Sequence, residues 1–486
     1  MRQPIRSTLA VVAALAAGAG LGVGLDWLGA APAPGAGQRS VPVRSADLVC
    51  PGGNGVPATV TVAAPPDRAG TTATGATPVT TRPLSAKGTD TPLVSVVRPG
   101  TLATTSIAEA PVAPLVTQAK GPLAAGLNVE QVAQATAGAH RGLAGVACLP
   151  PAPDFWFVAT ATTDDRQSLL YLTNDGDGIA EVDVKVYGPQ GPVESVAARS
   201  IQVDPHTQRE VRVDSLAPGL AAVALHVESR TGRVAAGVLD NEYRSLTGYG
   251  SDWLPVSAAP SRTTVVPAVP AGNGEQTLYL LSPDADTTAR VRVAGADGGY
   301  LLAEADSVPL AAGRVVAKTF KLRGRAGALV VEADAEVLAG VRVVRSAGKG
   351  ADTAFLAGTT ALRDRAVLAD ARSGAVATTL LLTARSDEAE VLVTEFSGAA
   401  GAGGQPRQRS VRVPRDTTVA VELAGGARFG VLVESRGPGL VYGTRWLYTK
   451  AGPDLTLLPL GDARYTAVLP EVSNDLSAGQ QGVPTD

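Results

Sequence analysis

The 486-residue chain carries 42 Lys plus Arg against 45 Asp plus Glu, and 45% of it is apolar while only 4% is aromatic. Near-neutral charge without a basic stripe excludes a nucleic-acid interface, and the length exceeds what one core can serve, so several domains are required. Two cysteines and three histidines exclude a standard zinc site.

In chain order, the N-terminus comes first. Arg2 and Arg6 precede an uncharged run, Thr8 to Leu25. As a helix that run spans about 27 Å, close to the roughly 30 Å hydrocarbon core of a bilayer. Basic residues on its N-terminal flank place that end in the cytoplasm and everything after Asp26 outside. Residues 1–28 therefore read as a signal anchor or a signal peptide, with Trp27 at the membrane interface. Pro32 and Pro34 disfavour cleavage among the small residues Gly29 to Gly35, which favours a retained transmembrane helix. Residues 29–45 are a Pro/Gly/Ala linker.

Cys50 and Cys148 both fall on the exported side, where an oxidising compartment favours one disulfide. Closing a loop of about 100 residues is worth roughly 4–5 kcal/mol in the chain-entropy model. The bond would close a weakly patterned N-terminal β region, residues 46–150. There, alternating runs such as "ATVTVAA" and "PLVSVV" are separated by Thr/Gly/Pro stretches.

From residue 155 the pattern sharpens into repeats. "LLYLTN", "TLYLLS" and "TLLLTA" place Leu170, Leu278 and Leu380 at a period of roughly 105 residues. "HVES", "VVEA" and "LVES" bring Glu228, Glu332 and Glu434 at the same interval. A glycine follows each, Gly237, Gly340 and Gly443, and then "DWLPV", "AFLAG" and "TLLPL". Period-2 alternation with frequent turn residues predicts about seven short strands per unit. That points to tandem immunoglobulin-like β-sandwiches at 151–260, 261–362 and 363–472, stacked in a column and followed by a disordered tail at 473–486. The expected fold class is all-β.

The same landmarks bear on chemistry. "NDGDG" at 174–178 looks like a calcium loop, but its sister units keep only a turn and the EF-hand spacing fails, so a hairpin is expected. His226 aligns with Val330 and Leu432, which marks a packing position; His206 sits in a turn and His140 in a loop. No nucleophile elbow, phosphate loop or H-E-x-x-H motif occurs, so no catalytic, cofactor-binding or metal-binding residue is assigned. Glu228, Glu332 and Glu434 read as strand-end carboxylates paired with Arg230, Arg436 or backbone amides, with a junction cation site as the rival reading. Trp253 aligns with Phe355 and reads as core. Trp156 and Trp446, with Tyr442 nearby, are the one candidate aromatic platform for a sugar, though core packing is expected there too.

With "DFWFVATA" leading into "SLLYLTNDGDGIAEVDVKVYGPQGPV", and with Cys50-Pro51 upstream, the chain resembles an uncharacterised family of actinobacterial exported or membrane-anchored proteins, a domain of unknown function. The resemblance implies a single-pass or secreted cell-envelope protein and brings no catalytic residue. Genes for a membrane glycosyltransferase neighbour its members, which implies a part in envelope polysaccharide assembly. The expected function is a non-catalytic extracytoplasmic scaffold or accessory subunit, without a cofactor. Its expected partners are a membrane glycosyltransferase or cell-wall polysaccharide, and the membrane through the N-terminal helix. A glycan-binding module is the alternative; an envelope hydrolase would need a cleft of carboxylates.

Overall fold

The computed structural model describes residues 40–53, 55–66, 77–85, 91–107, 113–245, 247–271, 274–322, 324–348, 350–397 and 406–468. The expected helix at 1–28, most of the linker and the tail at 473–486 lie outside the described residues. Among the described residues no helix is long and apolar enough to cross a membrane. The chain divides into two bodies, Val43–Tyr465 and a second formed by its two ends. Of the second body the described part is an antiparallel pair, Ser40–Pro42 with Thr466–Val468.

The larger body is nearly all strand, arranged as four sandwiches with one strand order. In sandwich II one sheet sets the fifth strand, Val223–Thr231, between the first, Asp154–Thr160, and the third, Ala180–Gly188. The other sheet runs fourth (Thr207–Arg212), second (Arg166–Asn174), sixth (Ala235–Arg244) and seventh (Thr247–Leu254). Sandwich IV repeats this with Arg365–Ala371, Phe429–Arg436 and Ala389–Phe396 facing Thr417–Glu422, Val376–Arg385, Leu440–Thr449 and Leu455–Pro459. Residues 45–147 form sandwich I with the same order, although the repeat landmarks are missing from its sequence. Its Leu115–Lys120 lies between Ser45–Cys50 and Val79–Pro83, and Ala58–Ala64 lies between Thr101–Ile107 and Asn128–Ala135.

This order corrects the immunoglobulin-like expectation. In an immunoglobulin sheet the second strand pairs with the first and the fifth; here it pairs with the fourth and the sixth in every sandwich. Alternation dictates which face of a strand is buried, but not which sheet the strand joins.

Sandwich III carries a variation with a visible cause. Its fifth and sixth strands are one continuous strand, Gly327–Ala347, whose first half pairs with Ser261–Val269 and whose second half pairs with Gln276–Leu281 in the other sheet. Sandwiches II and IV break at the same place through Gly232 and Gly437, both at positive φ. Sandwich III has "EADAEV" there, with no glycine or proline to reverse the chain.

The sandwiches close on one another rather than stacking in the expected column. One sheet of each packs on the other sheet of its neighbour. Val49 and Val116 of I meet Ala235 of II, and Trp156 and Val158 of II cluster with Tyr279, Leu338 and Phe355 of III. Val265, Ala328 and Val330 of III meet Leu381 of IV, and Val367, Phe396 and Leu432 of IV return to Ala63 of I. A head-to-tail contact repeated until it meets its own start is a closed ring. Sheets covered on both faces read as unbroken apolar runs; all seven residues of Arg365–Ala371 are buried.

At the centre of the ring the four seventh strands, Gly142–Ala147, Thr247–Leu254, Gly350–Ala357 and Leu455–Pro459, pack against each other. Each is a sheet edge with unpaired amides, and buried amides need acceptors. Two aspartates supply them. Asp352 of III accepts the N–H groups of Leu143 in I and Leu455 in IV, each at 2.9 Å. Asp252 of II accepts the Gly145 N–H of I at 2.8 Å and the Thr456 hydroxyl of IV at 3.0 Å. The disulfide Cys50–Cys148 ties the first strand of sandwich I to the end of its seventh, beside the Val49–Leu149 bridge.

Candidate functional site

At or just past the C-terminal ends of the seventh strands, three sandwiches carry a Leu-Pro pair: Leu149-Pro150, Leu254-Pro255 and Leu458-Pro459. With Thr359 of sandwich III these residues wall a cavity of about 290 Å³ on the ring axis. All four sandwiches contribute, and the wall is mostly apolar. Its polar groups are few: Asn128 and Glu130 inside, Asp462 and Arg464 among the exposed residues. The ring of Trp253 forms part of the wall, and a Cβ on Gly237 would stand 3.3 Å from it. The recurring "WLPV" and "LLPL" stretches thus serve as cavity wall as well as core.

Glu130 belongs to a buried ionic cluster at the seam between sandwiches IV and I. Fully buried Arg445 donates to the Glu130 carboxylate and to the Asp370 carbonyl, the latter at 2.7 Å. Glu130 also accepts the N–H groups of Ala369 and Asp370 at 3.1 and 3.2 Å. Burial pushes the Glu130 carboxyl above the usual carboxylate range despite the pull of Arg445. Asp370 is held below it, because Arg372, Arg428 and Arg445 outweigh its own burial. Burial raises Asp252 and Asp352 well above the ordinary range, and each also feels a neighbouring carboxylate, Asp352 and Asp454 respectively. The seam between II and III uses the same device: Arg342 donates to Glu242 at 2.5 Å.

None of these ionic residues was singled out from sequence. A signal for two existed: Arg342 and Arg445 each stand two residues after a recurring glycine, in "GVR" and "GTR".

The residues that were singled out are scattered. Trp156 is buried, stacked on His226 with ring centroids 3.8 Å apart and on Tyr187 at 5.8 Å. Tyr442 packs at the seam between III and IV. Trp446 lines a separate groove of about 380 Å³ with Arg345 and Leu455, and stacks on Tyr448 at 4.3 Å. The repeated glutamates reach separate partners: Glu228 pairs with Lys185 at 2.6 Å, Glu332 with Arg385 at 3.7 Å and Glu434 with Arg365 at 3.2 Å. Arg230, expected beside Glu228, pairs instead with Asp183, one strand over in the sheet. Gly340 permits close approach between sandwiches, since a Cβ there would lie 2.8 Å from the Val158 carbonyl oxygen. In "NDGDG" the Asn174 side chain accepts from Gly176 N–H and donates to the Gly178 and Val203 carbonyls, which closes the turn.

Asp154, His226 and Glu228 bring three ligand atoms within 4.8 Å, the donor set of a small cation site. Their contacts already satisfy them: His226 Nε2 lies 2.6 Å from Asp154 Oδ2, and Lys185 occupies Glu228. His206 caps Asp177 across its turn at 3.0 Å, and His140 Nδ1 meets Asn241 Oδ1 at 2.8 Å between sandwiches I and II.

The model of a family of unknown function, DUF5719, matches residues 101–424. No curated protein matches the chain. Among solved structures, that of infectious bursal disease virus Gx strain aligns over 91% of this chain and 87% of the viral one, at 8% identity and a TM-score of 0.09, too low to carry an argument.

Proposed function

Since the chain belongs to DUF5719, a family defined without a function, we propose that it is a non-catalytic cell-envelope scaffold. It would act outside the cytoplasmic membrane as an accessory subunit in envelope polysaccharide assembly. The observation that carries this reading is the closure of the ring. The converging charges, Arg445 with Glu130 and Arg342 with Glu242, are spent on joining sandwiches. A rigid body results, whose loops and edges are left for partners. The disulfide supports an oxidising compartment. The apolar run Thr8 to Leu25 supports retention at the membrane.

Cross-linking in intact envelopes, followed by purification, tests the reading. It predicts an adduct with a membrane glycosyltransferase or wall polysaccharide, and oxidised Cys50 and Cys148. Recovery without an adduct, in the cytoplasmic fraction with both thiols free, contradicts it. A glycan-binding module is the second reading, favoured by the Trp446–Tyr448 stack at the groove and the Arg345 guanidinium 5.4 Å from the Tyr448 ring. Wall polysaccharide retention unchanged by Trp446→Ala would remove that alternative.

A further inference from the structure

We propose that the axial cavity is a binding site for a single medium-length aliphatic chain bearing one hydrogen-bonding head group. The cavity holds about 290 Å³, room for roughly ten methylene-sized groups at about 30 Å³ each. Its wall is made by Leu-Pro pairs from three sandwiches and by the Trp253 ring. A wall of that kind gives water few partners and favours an apolar occupant.

One feature goes beyond shape. The charged groups Asp462 and Arg464 line the cavity and are exposed. They offer hydrogen-bonding partners to a polar head group at the solvent-facing end while the chain lies against the apolar wall. Part of the wall recurs: the Leu-Pro pairs occupy matching places at or just past the C-terminal ends of the seventh strands in three of the four sandwiches. The proposal does not depend on the scaffold reading and survives its failure.

The test uses the full chain and straight-chain alcohols of six to sixteen carbons, with quenching of Trp253 by a bromine-labelled ten-carbon alcohol as the readout. Saturable binding of one chain per protein is expected. Affinity should rise about fourfold per added methylene up to about ten carbons, then level off. Gly461 lines the cavity, and a Cβ there meets nothing within 4 Å. Gly461→Phe should therefore fold and weaken binding at least tenfold. Gly374→Phe, at another position open to a Cβ, should bind as the parent does. Quenching that does not saturate, or affinity that rises without levelling, overturns the proposal. Equal binding by the Gly461→Phe and Gly374→Phe variants overturns it too. If Gly461→Phe fails to fold, the chain-length series on the parent protein still decides.

Discussion

Asp252 and Asp352 hold the ring by accepting hydrogen bonds, yet both carboxyls are pushed up by burial. A carboxyl raised in the fold favours the protonated form. Its stabilisation is therefore complete below the ordinary aspartate value and is lost as pH climbs through the elevated folded value. Unfolding temperature in the parent chain should fall as pH rises from about 4 toward neutrality, in part through these groups. Asp252→Asn should flatten that slope in a series of melts at different pH; an unchanged slope would count against the assignment. Arg445 makes a sharper case. Arg445→Met strands Glu130 in the seam and should cost roughly 3–5 kcal/mol in denaturant unfolding. Glu130→Gln combined with Arg445→Met should recover part of that loss, because the stranded charge disappears. These residues were hidden in the sequence for a physical reason. A buried aspartate in "SDWL" looks like a turn residue until the neighbouring sandwich supplies the amides it accepts.

At the scale of elements, the seventh strand decides the architecture. An edge strand can be buried only if its amides find acceptors and its backbone can approach another chain. Glycine provides the approach. A Cβ on Gly250 would sit 2.5 Å from the backbone nitrogen of Thr353. Gly250→Ala should therefore destabilise the protein by roughly 1–3 kcal/mol by overpacking, measured as a shift in denaturation midpoint; a neutral substitution would mean the strands stand farther apart. Much of this level was legible. "LLYLTN", "TLYLLS" and "TLLLTA" are the second strands of sandwiches II, III and IV. The turn at "NDGDG" was legible, but the expected hairpin is not formed, because the turn carries the chain from the second strand to the third in the opposite sheet. The strand order was not legible, because an alternating run has the same pattern in either sheet. Sandwich I escaped notice as a copy because its second strand is "ATVTVAA", where threonine and alanine replace the leucines of its sisters.

For the whole molecule, ring closure explains why so many residues with chemical potential are structural. Trp156 covers a seam, and the arginines after the recurring glycines neutralise carboxylates of the adjoining sandwich. The axial cavity was invisible for the same reason that the ring was. Leu-Pro at the end of a strand reads only as a local strand end, and only the return of sandwich IV to sandwich I brings such strand ends around one space. The disulfide was readable from an even pair of cysteines and is present. Reducing it, or Cys50→Ser with Cys148→Ser, should lower stability by no more than about 4–5 kcal/mol in reversible unfolding. Neighbouring sandwiches also hold sandwich I, so a folded protein should remain.

Hydrogen exchange at the amides of Leu143, Gly145 and Leu455 tests the ring most directly. In the closed ring these edge-strand amides donate to Asp352 and Asp252 of other sandwiches. They should exchange only through global unfolding, and Asp352→Ala should release Leu143 and Leu455 while leaving Gly145 slow. Exchange of all three near the rate of an open chain in the parent protein, as an unclosed column would allow, would contradict the ring.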